Sequence, residues 1–600
     1  MGEEIERRDR FLTDEELVGW SFHATLGQQF TGRGHKVNAV RLVDVYTRSA
    51  RRHPEVIMAY AWLLLHLCWA SLVLAPVLAQ AGGPAPDAGR VATPAPRRPD
   101  AAQLATLLTA FEAYAEQARV QWGTPGMAVA IVHRDQVIYA KGFGVKKLGG
   151  PDPVDPHTLF PIGSTSKAFT SALVALLADQ GKLRWEDPVV DHVPAFETYD
   201  PWVTRAFMIE DLMAQRSGMA PYAGDLLAVI GFDAASIRAK IEQMPAVSSF
   251  RSRFAYVNNL FLVAAEVIRR HTGVPWADAV QRHLFEPLGM AESSISLEAY
   301  RAAMNVAFSH TVLDGHVTAI PFDAPSLGFA YTYAPAGGVN STVLDMAKWL
   351  RLHLSQGMFE GKRLISEANM RVVHSPKTVM ESQAQNPLAH TTLGSMTSFY
   401  CEGWVYSAAH PYPVIWHNGD TGGVHSVVGF IPAAQLGLVV LTNLSGTQLP
   451  EALLWYLNDR YFDNPHTDWS ALLRGWIQEQ QAAARAALGE PPATPAPALP
   501  LSSYAGTFRH RVYGELTIDA AGDTLALTVG PRQVRMALRH WNRDTFLVSW
   551  PETDAYPGAS GFATFAIGPK GQPVSLTLDV FADVDKGLFV RVDPPHAPSP

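Results

Sequence analysis

The chain has 600 residues, of which 48% are hydrophobic and 17% are charged, with a formal net charge of −8. This composition is typical of globular proteins with a large core, and the length predicts more than one domain. Without a basic tract the charge balance argues against a nucleic-acid partner. The two cysteines, Cys68 and Cys401, predict no internal disulfide because Cys68 falls in a segment expected to be removed.

The amino-terminal part of the sequence predicts export. Residues 1–57 form a polar, irregular extension, and residues 58–79 are almost wholly apolar and lead to an Ala-Gln-Ala exit. This pattern predicts a signal peptide over 58–81, and hence a periplasmic or secreted protein, with Met58 as a candidate true start. The apolar run can also span a bilayer, so the alternative is a signal anchor that tethers the chain to the inner membrane. Residues 82–100 form a Pro/Ala/Gly linker.

A domain that mixes helices with an antiparallel sheet is predicted over residues 101–465. Apolar residues at helical spacing predict a first helix over 104–120. Two apolar runs, 125–132 and 137–144, flank a short polar turn and predict a β-hairpin. Helical periodicity then resumes from Phe169 to Leu177.

A serine and a lysine, three positions apart, precede this last helix. We expect Ser164 at a helix amino terminus, where its backbone N–H has no intrahelical acceptor, and Lys167 one turn further on the same face. A neutral lysine beside a serine can take the hydroxyl proton, so the pair is a candidate activated nucleophile. The simpler interpretation is a helix cap followed by a solvated charge, and other motifs must decide between the two.

The rest of this domain is predicted to be mostly helix and loop up to about residue 400, and then to return to the sheet. The predicted elements are helices over 260–270, 276–284 and 344–354, a strand at 414–416, a hairpin over 425–443 and a closing helix over 453–461. An antiparallel sheet divided between two distant pieces of the chain, with helices inserted between them, is an α+β design.

The carboxy-terminal part changes character. Residues 466–500 contain a predicted helix followed by a Pro/Ala linker. From 501 to 600, short apolar runs alternate with turn residues, which predicts a small all-β domain, either a barrel or a sandwich.

Two motifs follow the serine and the lysine in chain order. Tyr256-Val257-Asn258 precedes a predicted helix, and His417-Asn418-Gly419-Asp420 follows a predicted strand. With SxxK upstream, this order resembles that of the penicillin-recognising serine hydrolases, the superfamily of class C β-lactamases, D-aminopeptidases and esterases. The resemblance covers about 125–443. The carboxy-terminal region is similar to the lipocalin-like β domain that follows some of these hydrolases, and this resemblance implies a small all-β barrel over 501–600.

The resemblance implies a β-lactamase/transpeptidase-like fold and chemistry through an acyl-serine, without metal or organic cofactor. Ser164 would attack a carbonyl carbon, and Lys167 would accept its proton or stabilise the oxygen. Tyr256 would pass the proton to the leaving group, if Lys167 lowers its pKa. Asn258 would hold the substrate amide or orient Lys167. The backbone N–H groups of Ser164 and Asp420 would form the oxyanion hole.

The last motif departs from the lactamase pattern, which has Lys-Thr-Gly on this strand. His417 is largely neutral at pH 7, and the Asp420 carboxylate beside Gly419 is expected to repel a substrate carboxylate. The sequence therefore favours esters, amides or peptides over β-lactams, as in a D-amino-acid peptidase, a carboxypeptidase or an esterase. The alternatives are a true β-lactamase and a non-catalytic envelope scaffold. The sequence leaves the oligomeric state open.

Overall fold

The computed structural model describes residues 99–380, 390–391, 394–409, 411–551 and 560–592. The predicted extension, the signal peptide and nearly all of the first linker lie outside these residues, so export remains a prediction. Among the described residues, none of the helices combines the length and the apolar character needed to cross a bilayer.

Helices account for much of the chain between the amino-terminal strands of the sheet and its carboxy-terminal strands. The long helices are α1 (Ala101–Trp122), α2 (Lys167–Asp179), α3 (Asn259–Thr272), α4 (Val343–Leu354), α5 (Leu449–Phe462) and α6 (Trp469–Leu488). Shorter helices span Val189–His192, Pro201–Ala206, Leu226–Val229, Ala234–Ala239, Trp276–Val280, Glu286–Leu288, Leu297–Ala302, Phe329–Thr332, Ala334–Gly337 and Glu367–His374. Single 3-10 or π turns span Gly163–Ser166, Glu210–Leu212, Ile241–Gln243, Gln281–Phe285, Pro325–Gly328, Pro432–Ala434, Leu501–Ser503, Asp579–Phe581 and Asp585–Gly587.

The central sheet of the first domain has eight strands, and every neighbouring pair is antiparallel. The strands are β1 (Gly126–His133), β2 (Gln136–Gly144), β3 (Thr378–Met380), β4 (Ser398–Tyr400), β5 (Val405–Ser407), β6 (Val414–Thr421), β7 (Val424–Ile431) and β8 (Leu436–Thr442). Their order in space is β2-β1-β8-β7-β6-β5-β4-β3. Pairs of short strands, each two to four residues long, lie outside the central sheet: Phe160–Pro161 with Asn340–Ser341, His310–Leu313 with His316–Ala319, Met358–Phe359 with Lys362–Arg363, and His390–Thr391 with Gly394–Ser395.

Two distant parts of the chain meet where β1 pairs with β8, the second and third strands of this sheet. Met127 on β1 lies opposite Thr442 on β8, and Asn443 Oδ1 accepts a hydrogen bond of 2.7 Å from the Gly126 N–H. Every residue of β1, β7 and β8 is buried. One face of the sheet packs on α4 and shares a hydrophobic core with α2 and α3. The other face packs on α5 and shares a core with α1. Continuous apolar runs on these strands follow from this burial on both faces.

The carboxy-terminal domain is a closed barrel, which confirms the small all-β barrel that the resemblance implied. Its strands are β9 (Gly506–His510), β10 (Gly514–Ala521), β11 (Thr524–Val529), β12 (Val534–Asn542), β13 (Thr545–Ser549), β14 (Ser560–Ile567), β15 (Pro573–Leu578) and β16 (Leu588–Arg591). Closure follows from the pairing of Arg509 on β9 with Val590 on β16. The interior is filled by buried aromatic and aliphatic side chains, among them Phe508, Phe546 and Phe565.

Two expectations about the sheet were incomplete. The region up to residue 400 also contributes β3, at the edge of the sheet, and β4 beside it, which were missed because runs of three residues carry too little alternation to identify. The predicted strand at 414–416 continues to Thr421. The motif His417-Asn418-Gly419-Asp420 therefore lies within β6 rather than after it, and its side chains alternate between the two faces.

Candidate active site

The candidate nucleophile lies in the 3-10 turn Gly163–Ser166, which leads directly into α2. The helix was predicted to begin at Ser164, but the tighter turn comes first, and the Lys167 N–H donates to the Ser164 carbonyl oxygen. Thr165 and Ser166 are buried, and their hydroxyls bond the backbone of Ile162 and Val339. The Ser164 side chain is only half-buried, so its hydroxyl is the most accessible of the three in this turn.

This turn lies against the backbone of β6. Because β5 pairs only with Val414–Trp416, the remainder of β6 has a free edge on that side. A Cβ atom on Gly419 would lie 2.0 Å from the Ile162 carbonyl oxygen and 2.8 Å from the Ser164 nitrogen, so only glycine fits there. A Cβ atom on Gly163 would lie 2.9 Å from the Asp420 nitrogen. The two backbone nitrogens expected to form an oxyanion hole thus come to one place.

Lys167 is fully buried beside the serine. Its Nζ atom lies 3.0 Å from Ser164 Oγ, 2.7 Å from Asn258 Oδ1 and 3.0 Å from the Ala336 carbonyl oxygen. Burial lowers the pKa of Lys167 to about 7, although the nearby Asp225 carboxylate opposes this shift. A large fraction of the lysine is therefore neutral near pH 7.

The three partners of Lys167 suit the exchange of one proton. An ammonium group donates to all three oxygens, because it carries three N–H bonds. The neutral amine can still donate to Asn258 and to the Ala336 carbonyl, and its lone pair then faces Ser164 Oγ. This arrangement gives the amine a fixed orientation as an acceptor for the serine proton.

Asn258 connects the lysine to a buried acid, Asp225. Asn258 Nδ2 donates to Asp225 Oδ2 at 2.7 Å, while its Oδ1 accepts from Lys167. Burial raises the pKa of Asp225 to about 7, against the lowering effects of Asn258 and Lys167. Asp225 lies in a loop without periodicity, so no local pattern in the sequence identified it. Of the two roles expected for Asn258, this geometry matches the orientation of Lys167.

Tyr256 covers Lys167 from the other side. The lysine Nζ lies 4.6 Å from the centroid of the Tyr256 ring, a cation–π distance. Burial and the neighbouring Tyr400 raise the pKa of Tyr256 well above its usual value, although a hydrogen bond with Ser164 opposes them. The condition set for its proton transfer, a pKa lowered by Lys167, is not met, because desolvation dominates. The phenol stays protonated at neutral pH.

His417 is part of the wall of the site. Its side chain is buried, with Nε2 placed 2.9 Å from the Tyr400 hydroxyl and Nδ1 against the Asn418 carbonyl oxygen. The carbonyl can only accept, so Nδ1 carries the proton and Nε2 accepts from Tyr400. Burial and Lys167 lower the pKa of His417 to about 3, so it stays neutral. It offers no positive charge to a substrate.

The Asp420 carboxylate does not face the nucleophile, which corrects the expected repulsion of a substrate carboxylate. Residues 418 and 420 point to the opposite face of β6 from residues 417 and 419. There Asp420 Oδ2 accepts from His425 Nδ1 at 2.9 Å and from the Gly446 N–H at 3.1 Å. Burial would lower the pKa of His425, but Glu451 and Asp420 together raise it to about 10. The positive His425 therefore compensates the charge of Asp420.

The structure brings together Ser164, Lys167, Tyr256 and Asn258, with Gly419 and the Asp420 backbone beside them. Sequence reasoning missed Asp225 and Tyr400, which reach the site from elements with no motif of their own. It also assigned no role to Ala336, whose carbonyl oxygen is a partner of Lys167. Within the described part of the chain, no group of three or more His, Cys, Asp or Glu side chains is placed to hold a metal ion.

Comparison with known proteins gives the following similarities. A beta-lactamase family model matches residues 111–461, and the model of a domain of unknown function, DUF3471, matches 490–589. An unguisins hydrolase of Aspergillus violaceofuscus is 27% identical over 507 residues, which are 77% of this chain and 86% of that protein. Penicillin-binding protein 4 of Amycolatopsis lactamdurans is 28% identical over 331 residues, 54% of this chain and 82% of that protein. The octameric penicillin-binding protein homologue from Pyrococcus abyssi aligns with a TM-score of 0.51 at 20% identity, over 81% of this chain and 100% of its own, and shares the fold.

Proposed function

The chain belongs to the beta-lactamase family of serine hydrolases, and on that premise we propose that it cleaves ester, amide or peptide bonds through an acyl-serine intermediate. The observation that carries this proposal is the contact of 3.0 Å between Ser164 Oγ and the Nζ atom of Lys167, a lysine whose pKa is lowered to about 7 by burial. A nucleophile and a base within hydrogen-bond reach, with the base oriented by a third group, is the arrangement that acyl transfer requires.

In the proposed first step, neutral Lys167 takes the hydroxyl proton as Ser164 Oγ bonds to the substrate carbonyl carbon. The negative charge that develops on the carbonyl oxygen is stabilised by the backbone N–H groups of Ser164 and Asp420, at about 3 kcal/mol for each donor. Asn258 and the Ala336 carbonyl hold the lysine ammonium that results.

Tyr256 then delivers a proton to the leaving group. Its raised pKa argues against a free tyrosinate, so the phenol gives up its proton only as it receives one from Lys167. The leaving alcohol or amine departs, and Ser164 remains acylated. Water then repeats the sequence with the same groups and releases the acid.

The chemistry of the β6 edge supports neutral or amine-bearing substrates over β-lactams and free carboxylates. The position where the lactamase pattern has a lysine is occupied by neutral His417, whose two ring nitrogens are already hydrogen-bonded. The proposal is therefore an esterase or a D-amino-acid peptidase, with β-lactam hydrolysis as the second candidate because of the family relationship. Export, through the apolar segment 58–81, remains part of the proposal and is tested by sequencing the native amino terminus.

The test compares the full chain with Ser164→Ala and with Ser375→Ala, an exposed serine on another helix end. Turnover of a p-nitrophenyl ester, of D-amino-acid amides and of nitrocefin identifies the substrate class, and labelling with a fluorophosphonate reports the nucleophile. We expect loss of turnover and labelling only in Ser164→Ala. Equal turnover in that variant and the wild type would reject Ser164 as the nucleophile. A folded wild-type protein without turnover or labelling would favour the scaffold alternative.

A further inference from the structure

The barrel touches the hydrolase domain at a loop that also borders the catalytic groups. We call this loop the bridging segment and define it as Tyr222–Gly231. On one side its Tyr222 N–H donates to the Tyr256 carbonyl oxygen at 2.6 Å, and its Asp225 holds Asn258. The bridging segment is therefore in direct contact with two of the candidate site residues.

The other side of the bridging segment is held by the barrel. Asp583, between β15 and β16, accepts a hydrogen bond of 2.9 Å from the Gly224 N–H through its Oδ2 atom. The Tyr513 hydroxyl donates to the same oxygen and fixes its orientation. Further along, the Arg532 N–H, in the turn between β11 and β12, donates to the Ile230 carbonyl oxygen at 3.0 Å. Two turns of the barrel thus hold both ends of the bridging segment.

The backbone of the bridging segment requires such support. Tyr222 has a φ of 60°, and Gly224 and Gly231 have φ values of 78° and 103°. A left-handed conformation at a residue with a side chain costs on the order of 1–3 kcal/mol and persists only where the surroundings impose it. Gly224 is also held through its carbonyl oxygen, which accepts a hydrogen bond of 2.9 Å from the Tyr333 hydroxyl. The peptide groups on both sides of Gly224 are therefore fixed immediately before Asp225.

We propose that the carboxy-terminal barrel completes the catalytic site, and that Asp583 is a positioning residue for Lys167. Asp583 holds Gly224, Gly224 places Asp225, Asp225 holds the Asn258 amide, and that amide fixes the lysine amine opposite Ser164. Each link is a hydrogen bond or the next residue along the chain, from a turn of the barrel to the nucleophile. This inference rests on the proposed function, since it assigns a role in the same site.

The negative charges of Asp583 and Asp225 give a second, electrostatic connection between the barrel and the catalytic site. The Asp583 carboxylate is among the groups that raise the pKa of Asp225. Burial also raises the pKa of Asp583 itself, to about 6. The charged or titratable groups that face Asp225 are Lys167, Tyr222, Tyr256, Tyr513 and Asp583. Replacing Asp583 changes this set without touching any group that contacts a substrate.

The experiment uses the full chain and three variants: Asp583→Ala, Asp583→Asn and the matched control Asp585→Asn. Asp585 lies two residues further along, in an exposed ion pair with Arg511, so its replacement removes the same charge from the same turn. Fluorophosphonate labelling over a range of concentrations separates the maximal rate, kinact, from the half-saturating concentration, KI. Thermal unfolding confirms that each variant is folded.

We expect kinact to fall about 10-fold to 100-fold in Asp583→Ala, the loss typical of a catalytic group displaced by about 1 Å, with KI unchanged. Asp583→Asn keeps an oxygen for the Gly224 N–H, so its kinact should fall less. The kinact of Asp585→Asn should stay within about twofold of the wild-type value. Hydrogen exchange of the bridging segment, measured in the isosteric Asp583→Asn, should accelerate relative to Asp585→Asn.

Folded Asp583→Ala with the kinact of the wild type would overturn the inference and leave the proposed function intact. Equal losses in Asp583→Ala and Asp585→Asn would also overturn it, because they would reflect charge or stability alone. Should Asp583→Ala fail to fold, unchanged exchange in Asp583→Asn decides against the inference and faster exchange decides for it. A wild-type protein that is not labelled at all refutes the proposed function instead.

Discussion

Replacing Asp225 by asparagine should move the pH dependence of the enzyme to lower pH. Asp225 lies behind Asn258, and its carboxylate favours the ammonium form of Lys167. Asparagine keeps an oxygen that can accept from Asn258 Nδ2 but removes the negative charge. Lys167 then holds its proton less tightly, so the neutral amine that acts as the base is present at lower pH.

The size of this shift follows from the geometry. Two hydrogen bonds of 2.7 Å, joined by one amide, separate the carboxylate from the amine. At a separation on the order of 7 Å and an effective dielectric constant of about 20, the Coulomb energy is about 2 kcal/mol. Asp225 has a pKa of about 7, so near neutral pH it carries roughly half a charge. About 1 kcal/mol remains, which displaces the titration of Lys167 by somewhat less than one pH unit.

The assay is kcat/KM for a p-nitrophenyl ester between pH 5 and pH 9. Because Lys167 and Asp225 interact, the rising limb of the wild-type profile reports the pair rather than either residue. In Asp225→Asn the limb should move to lower pH and fit a single ionisation. The control is Asp135→Asn, which removes one charge from an ion pair with Arg351 on the outer surface and should leave the limb in place. A limb that stays fixed or moves to higher pH in Asp225→Asn would refute the reasoning.

Two further variants test neighbouring parts of the site. In Tyr256→Phe, kcat should fall about 10²-fold or more through loss of the proton donor, while the limb near pH 7 stays in place because the phenol does not titrate there; a displaced limb would contradict this assignment. In His425→Asn, loss of the buried positive partner of Glu451 should lower the free energy of unfolding in urea by about 3–5 kcal/mol at pH 7. The pKa of His425 is raised to about 10. Its contribution to the free energy of unfolding is therefore complete below about pH 6.5 and is lost as the pH rises through about 10. An equal difference in unfolding free energy between variant and wild type at pH 7 and at pH 10.5 would be inconsistent with a charged His425.

The parts of the site that could be predicted from sequence are those encoded locally. The order Ser164, Lys167, Tyr256 and Asn258 on recognisable elements was sufficient to predict that these residues converge. The short strands β3 and β4 could not be identified, because three residues do not establish a period. The direction of the Asp420 side chain follows from the alternation of side chains along β6. It could not be predicted because the sequence did not show that β6 extends to Thr421.

Features set by tertiary contacts could not be predicted. The Asp225 carboxylate and the Tyr400 hydroxyl enter the site from segments without periodic or motif signals. The pKa of Tyr256 depends on burial among groups from three other parts of the chain, so proximity to Lys167 alone does not give its direction. The barrel was predictable as an all-β domain, but its contact with Gly224 depends on how two separate domains meet.

The adjacency of β1 and β8 has a consequence for biosynthesis. Gly126 and Asn443, which bond to each other, are 317 positions apart. At a translation rate of about 5–20 residues per second, a ribosome releases β1 tens of seconds before its partner β8. During that interval the nascent chain carries an apolar strand with one open edge, which is a template for self-association. We therefore expect the yield of soluble protein to rise when that edge is shielded, by a chaperone or by neighbouring helices, until the distant strand emerges.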